Sequence, residues 1–276
     1  MKAQEMNMTP KVTQVTVQSS ASKIAGTERA RLGFKSDDPR LSADVETPSN
    51  LYNILRQKIE SFNIFVFQTS MQIEDVRGVT LFDKLPVVIV INSKDSPEAK
   101  IFSLLHEYGH VLLKKDGICM PQNMYEKKSY DNMQLIEKWC NDFAASILMP
   151  EELFRKEYRR LEERDIEREK IVNALASKFR ASRQAVTIRM RNLEKDNTTV
   201  AKYSQLLQKI KNNENGRATT RRGGLPRAKL CVSRKGKKFV SLVLESESRN
   251  IINISDVAEY LEIKLKHLKE VEKEVF

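Results

Sequence analysis

The chain has 276 residues, 40% hydrophobic, 31% charged and 7% aromatic, with a net charge of +11. That length accommodates two or three small domains, and no apolar run of about 18 residues is present to cross a bilayer. Cys119, Cys140 and Cys231 lack the spacing of a disulfide framework or a cysteine zinc site, and residues 1–23 lack the apolar core of a leader, so a cytoplasmic protein with no membrane partner is expected.

Residues 1–45 are polar and read as a flexible lead-in, with a short strand at 12–17. The pattern changes near Thr47. Pro48-Ser49-Asn50 is suited to capping a helix over Leu51–Ser61 that carries Leu51, Ile54, Leu55 and Ile59 on one side. Strands are expected at Asn63–Phe67, Val79–Phe82 and Val87–Ile91. The third is continuous and β-branched, which suits a central strand buried on both faces. A strand beside the site described next could hold an extended peptide by edge pairing.

Asp95-Ser96-Pro97-Glu98 is a helix start: a capping side chain, a proline in the first turn and an acid near the positive end of the dipole. The helix that follows carries His106-Glu107-Tyr108-Gly109-His110 between two apolar flanks. Two histidines four apart project from one face of a helix. Both can reach one zinc ion at about 2.0–2.1 Å. Glu107 leaves the helix roughly 100° away from His106. From there it can serve as general base to a water at the metal without ligating it. A buried helix holding two histidines by accident is the plain alternative. Its apolar, capped setting favours the metal.

Residues 116–131 read as a loop, and Met133–Met149 as a helix stopped by Pro150. Hydrolytic zinc usually takes three protein ligands and keeps a fourth position for water. His267, the remaining histidine, lies in a Lys-rich helix near the C-terminus. A carboxylate is the better third ligand: Glu137 is best placed, with Glu126 and Asp131 as rivals in the loop and an ordinary surface glutamate as the bland reading of Glu137.

These residues resemble the ImmA/IrrE family of metallopeptidases. Phe102–His110 is similar to the family's F-T-L-A-H-E-L-G-H. Ile136–Pro150 is similar to its E-x-x-A-N-x-F-A-x-x-L-L-M-P, and Arg77-Gly78-Val79 and Pro86–Asn92 also resemble it. The likeness covers about residues 50–150, with Cys140 in place of a usual alanine and Tyr108 in place of leucine or phenylalanine. It implies His106, His110 and Glu137 as zinc ligands and Glu107 as catalytic base. It also implies a protein substrate, a DNA-binding helix-turn-helix repressor whose cleavage releases transcription. The fold class expected is α+β: a small zincin-like peptidase domain over 46–150, with a short sheet and the H-E-x-x-H helix. A helix-turn-helix segment over 151–198 and a basic linker with a small C-terminal module over 199–276 would follow.

The second half carries the charge. Residues 1–150 hold 18 Lys and Arg against 18 Asp and Glu, while residues 151–276 hold 30 against 19, which is the whole excess of +11. A basic half joined to a neutral one suggests an anionic partner, DNA first; a solvated basic surface is the bland reading. Ile171–Leu193 has two apolar stripes separated by Arg180-Ala181-Ser182, the pattern of a helix-turn-helix, and members of the family carry such a segment. Its second helix would present Arg183, Gln184, Thr187 and Arg191 to DNA; a helical hairpin packed on the peptidase fits the same pattern. Phe239–Leu244 reads as a strand or short helix, and Ile254–Leu268 as a second weak helix-turn-helix or a helical cap. Beside the zinc peptidase stands a DNA-binding regulator with a structural or vestigial metal site, and a toxin–antitoxin interaction module as a third class without a specific signal.

Overall fold

The computed structural model describes residues 8–35, 47–71, 76–82, 84–115, 117–119, 130–164, 166–193, 206, 208 and 225–276. Its architecture is mixed α+β, a small zincin-like domain extended by helices. The loop carboxylate Glu126 lies outside the described residues, as does the linker over 209–224, and nothing is described of the Asp131 side chain.

The four strands are β1 (Ile64–Thr69), β2 (Gly78–Leu81), β3 (Val87–Asn92) and β4 (Gly117–Cys119), ordered β1-β3-β2-β4. β3 is central, as its β-branched run suggests. It pairs parallel with β1 and antiparallel with β2. Val88 and Val90 remain half-buried, so one face of β3 is only partly covered, against the expectation of two buried faces. β4 lies where the sequence suggested loop, and pairs antiparallel with β2. β2 therefore has both edges occupied and cannot itself take up a peptide strand.

Helix α3 (Pro97–Leu113) begins where the start signal places it. Ser96 Oγ accepts from Ala99 N at 3.3 Å, and Pro97 opens the first turn. It ends at Lys114, which adopts the left-handed conformation (φ 51°) with no glycine at the turn. α2 (Pro48–Ser61) starts three residues earlier than the sequence suggests, because Thr47 supplies the cap. α4 (Tyr130–Leu148) packs along α3, and α5 (Glu151–Glu162), α6 (Arg168–Phe179) and α7 (Arg183–Leu193) follow. Arg180 in the left-handed region and Ser182, whose Oγ accepts from Ala185 N at 3.1 Å, make the expected turn between α6 and α7.

The flexible lead-in expected over 1–45 does not describe residues 21–32. They form α1 (Ala21–Leu32), capped by Ser20 and closed by Gly33. Three polar contacts hold this end of the chain to α3 and α4. Arg29 donates to the carbonyl of Ile147, Trp139 Nε1 donates to the carbonyl of Ser19 at 2.7 Å, and Tyr108 Oη donates to Glu28 Oε2 at 2.6 Å. The residues expected as a strand at 12–17 join no ladder, although Val15 N donates to Leu112 O at 3.0 Å. Buried side chains from Val15 to Met190 form one core, so α5–α7 share the hydrophobic interior of the sheet domain.

Residues 227–275 build a second, smaller core from α8 (Arg227–Lys235), α9 (Lys237–Ser248), α10 (Ile254–Leu261), a 3-10 turn (Leu265–His267) and α11 (Leu268–Val275). Phe239–Leu244 is thus helical. The module docks on β1 and α2, at the sheet edge remote from β4. A buried ion pair, Arg56 Nε to Glu60 Oε1 at 3.2 Å, sits at the junction. Arg56 donates to the carbonyls of Val66, Ser233 and Arg234, covering the C-terminal end of α8. Glu60 Oε2 accepts from Lys238 N at 3.4 Å, at the N-terminal end of α9. One residue of each sign thus meets the helix end of opposite polarity. No described helix is long and apolar enough to cross a membrane.

Candidate metal centre

α3 is buried on nearly every side, and residues 103–113 are all covered. His106 and His110 lie one turn apart with their Nε2 atoms 3.2 Å from each other. α4 crosses α3 and brings Glu137 opposite them: Oε2 is 3.2 Å from His106 Nε2 and Oε1 is 3.2 Å from His110 Nε2. Donor atoms held about 2.0–2.1 Å from one tetrahedral ion stand about 3.3 Å apart. The three donors therefore have the separation a single small cation requires. Among the described residues this is the one group of three or more His, Cys, Asp and Glu side chains with that geometry. Asn141 Oδ1 lies 3.1 Å from His106 Nδ1. A proton on that nitrogen leaves Nε2 with its lone pair for a cation.

Glu107 is fully buried and packs against β2, near enough to His106, His110 and Glu137 for their charges to act on it. Thr80 Oγ1 donates to its Oε2 at 2.6 Å and to its main-chain carbonyl at 3.1 Å. Its other oxygen, Oε1, has no hydrogen-bond partner. Gly78 permits this packing: a Cβ there would come 2.8 Å from Glu107 Oε1. The strand presses against the carboxylate and leaves one oxygen unengaged.

Environment separates the two glutamates. Burial pushes the Glu107 carboxyl up, against the nearby histidines and Thr80, which pull it down. Burial also pushes Glu137 up, but the hydrogen bonds and charges of His106 and His110 outweigh it and bring the carboxyl down to about 2. Glu137 thus stays anionic, the form a cation needs. The sequence reading gave neither Thr80 nor Asn141 a role, although Asn141 stands at the N of the quoted E-x-x-A-N motif. Thr80 reaches the site only through the register of β2 against β3, although Asn141 does lie four residues after Glu137 on one helix.

The four residues expected to face DNA are not brought together on an open surface. Thr187 is fully buried and its hydroxyl donates to Arg183 O at 2.8 Å. Arg183 Nη2 is paired with Glu169 at 2.6 Å. Gln184 and Arg191 are half-buried. Thr187 cannot reach a groove because the apolar stripe of α7 (Val186 and Met190) turns it inward, toward the shared core. That corrects Thr187 as a DNA contact.

Residues 59–191 match the family described as the IrrE N-terminal-like domain. A stretch of 72 residues, 25% of the chain, is 43% identical to 21% of the radiation response metalloprotease IrrE of Deinococcus radiodurans. A stretch of 67 residues is 42% identical to the protein of the same name from Deinococcus deserti, covering 24% of each chain. The similarity spans less than a quarter of the length of these relatives.

Proposed function

Residues 59–191 belong to the ImmA/IrrE family of metallopeptidases, and on that basis we propose that the chain is a zinc-dependent endopeptidase. His106, His110 and Glu137 hold the metal and Glu107 is the general base. The observation that carries this reading is the donor triangle with 3.2 Å sides beside a buried carboxylate with one free oxygen. Two imidazoles and one carboxylate are the donor set of a hydrolytic zinc site with an open position.

When bound, zinc supplies the Lewis acidity that brings the pKa of a water down to about 7. The protein does the rest. Glu107 Oε1 accepts the proton of the attacking water, and the burial that raises its pKa makes it a stronger base. Thr80 holds Oε2, so the carboxylate cannot swing away from the reacting atoms. The same Oε1 then returns the proton to the departing amine nitrogen as the peptide C–N bond breaks. Asn141 keeps the His106 ring in place. A purely structural metal site has no use for a buried carboxylate with an unengaged oxygen, which argues against the regulator with a vestigial centre.

The substrate we propose is a DNA-binding helix-turn-helix repressor, on the family resemblance and on the radiation-response role named for the relatives. Contact with DNA through the basic second half is part of the same proposal, supported by the charge excess in residues 151–276.

The test uses two conservative variants, with zinc content and cleavage of the repressor encoded beside the gene as readouts. Glu137→Gln loses the metal, since an amide is a poor substitute for an anionic donor. Glu107→Gln keeps the metal and loses about 10²–10⁴-fold in turnover. If Glu107→Gln cleaves at the wild-type rate, the mechanism is wrong.

A further inference from the structure

We propose that nucleic acid is bound by a basic groove of the C-terminal module and not by α7. This rests on the nucleic-acid part of the reading above and is independent of the peptidase part.

The groove has a volume of about 530 Å³ and lies between α8 and the chain joining α10 to α11. Arg227, Arg234, Lys264 and Lys266 line it, and all four are exposed. Among the described residues no carboxylate lies within ion-pairing distance of them. The groove's single acid, Glu262, is already taken by Lys235 at 2.6 Å. Among the described residues these four cations make no ion pair, and Glu262 is the one acid in the groove whose charge reaches them, through Arg234. On α7 the opposite holds, since Arg183 is paired and Thr187 is buried.

The arrangement selects the ligand. Arg227 and Arg234 are seven residues apart on α8, about 10 Å along its axis. A duplex, with one charge per strand per about 3.4 Å of its axis, offers several phosphates over that length. The floor is Leu230, Leu261 and Ile263, and His267 is the one aromatic ring in a lining without asparagine or glutamine. The amide side chains that read adenine are absent, and the lining is dominated by the cations that contact phosphate. The chemistry is therefore backbone contact by cations, which is salt-dependent and tolerant of sequence. The Arg56–Glu60 junction fixes the module to the edge of the sheet remote from β4.

The experiment is fluorescence anisotropy of a labelled 20-base-pair duplex with the full chain, titrated at several salt concentrations. The groove variant reverses three charges: Arg227→Glu, Lys264→Glu and Lys266→Glu. Arg227 lies in the first turn of α8, where an acid suits the helix dipole. The α7 variant is Arg183→Ala with Arg191→Ala. The groove variant is expected to bind at least tenfold more weakly, with a salt slope smaller by about 3, one for each phosphate no longer neutralised. The α7 variant and an unrelated duplex sequence are expected to match the wild type. If the reversals disturb folding by circular dichroism, the corresponding glutamine variants take their place. The proposal is overturned if wild-type protein does not bind at about 50 mM salt, if the groove variant binds as wild type, or if phosphatidylserine vesicles are bound and duplex is not. Zinc content on the same samples separates the two proposals, since an intact metal site with no binding in the groove overturns this one alone.

Discussion

Glu107 and Glu137 lie on neighbouring helices and meet opposite surroundings. Their chemistry follows from those surroundings. Glu107 is walled in by β2 and tethered by Thr80. Glu137 is 17% exposed and faces two imidazoles. The Thr80 hydroxyl is worth about 1.5–3 kcal/mol as a hydrogen bond to a charged group. Thr80→Val is therefore expected to lower kcat about 10- to 100-fold with zinc retained, and Thr80→Ser to restore it; a Val variant with unchanged kcat would remove Thr80 from the site. A second buried group offers a test outside the site. Tyr52 is 4% exposed and its hydroxyl has no partner. Burial pushes its pKa up to about 12, opposed by the charge of Arg56 and aided by that of Glu60. The unfolded chain releases this proton near pH 10 and the folded chain near pH 12. The contribution is thus present below pH 10 and lost as pH rises to 12, by about 2–3 kcal/mol. Tyr52→Phe is expected to gain about 1 kcal/mol at neutral pH by removing an unsatisfied group, and to flatten the alkaline loss. Denaturant melts of both proteins at pH 8 and pH 11 measure this, and parallel losses would contradict it.

At the scale of elements, the junction with the C-terminal module is the most demanding contact. Gly236 joins α8 to α9 with φ 87° and ψ 146°, a region open essentially to glycine. A Cβ there would also press on Glu60 and come 2.8 Å from Arg56 Nη2 and 2.9 Å from Val66 O. Gly236→Ala is expected to cost about 1–3 kcal/mol or more and to make residues 225–276 easier to release by limited proteolysis. Wild-type stability and cleavage pattern would contradict this. The elements that advertise themselves locally were legible in the sequence. The Ser96-Pro97 start, the β-branched run of β3, and the Arg180–Ser182 turn each carry a side-chain signal, and the two helices bearing His106, His110 and Glu137 followed from apolar periodicity. Elements decided by tertiary contact were not legible. α1 has weak amphipathicity and is anchored by Arg29, Glu28 and Trp139 to partners more than 75 residues away. β4 is three residues long and exists through its pairing with β2. The inward turn of Thr187 follows from the core it joins, where a helical wheel of α7 alone reads it as exposed.

At the scale of the whole molecule, one core carries the candidate metal centre and a second carries a basic groove, joined through Arg56, Glu60 and Gly236. The family similarity stops at residue 191, so the module beyond it is where this chain can differ from its relatives. The proposal that His106, His110 and Glu137 hold zinc belongs to the first core. It is tested most directly by elemental analysis of purified wild-type, His106→Ala and His110→Ala protein. About one zinc per chain is expected in the wild type and almost none in either variant, each still folded by circular dichroism. Zinc content unchanged in both variants would contradict it.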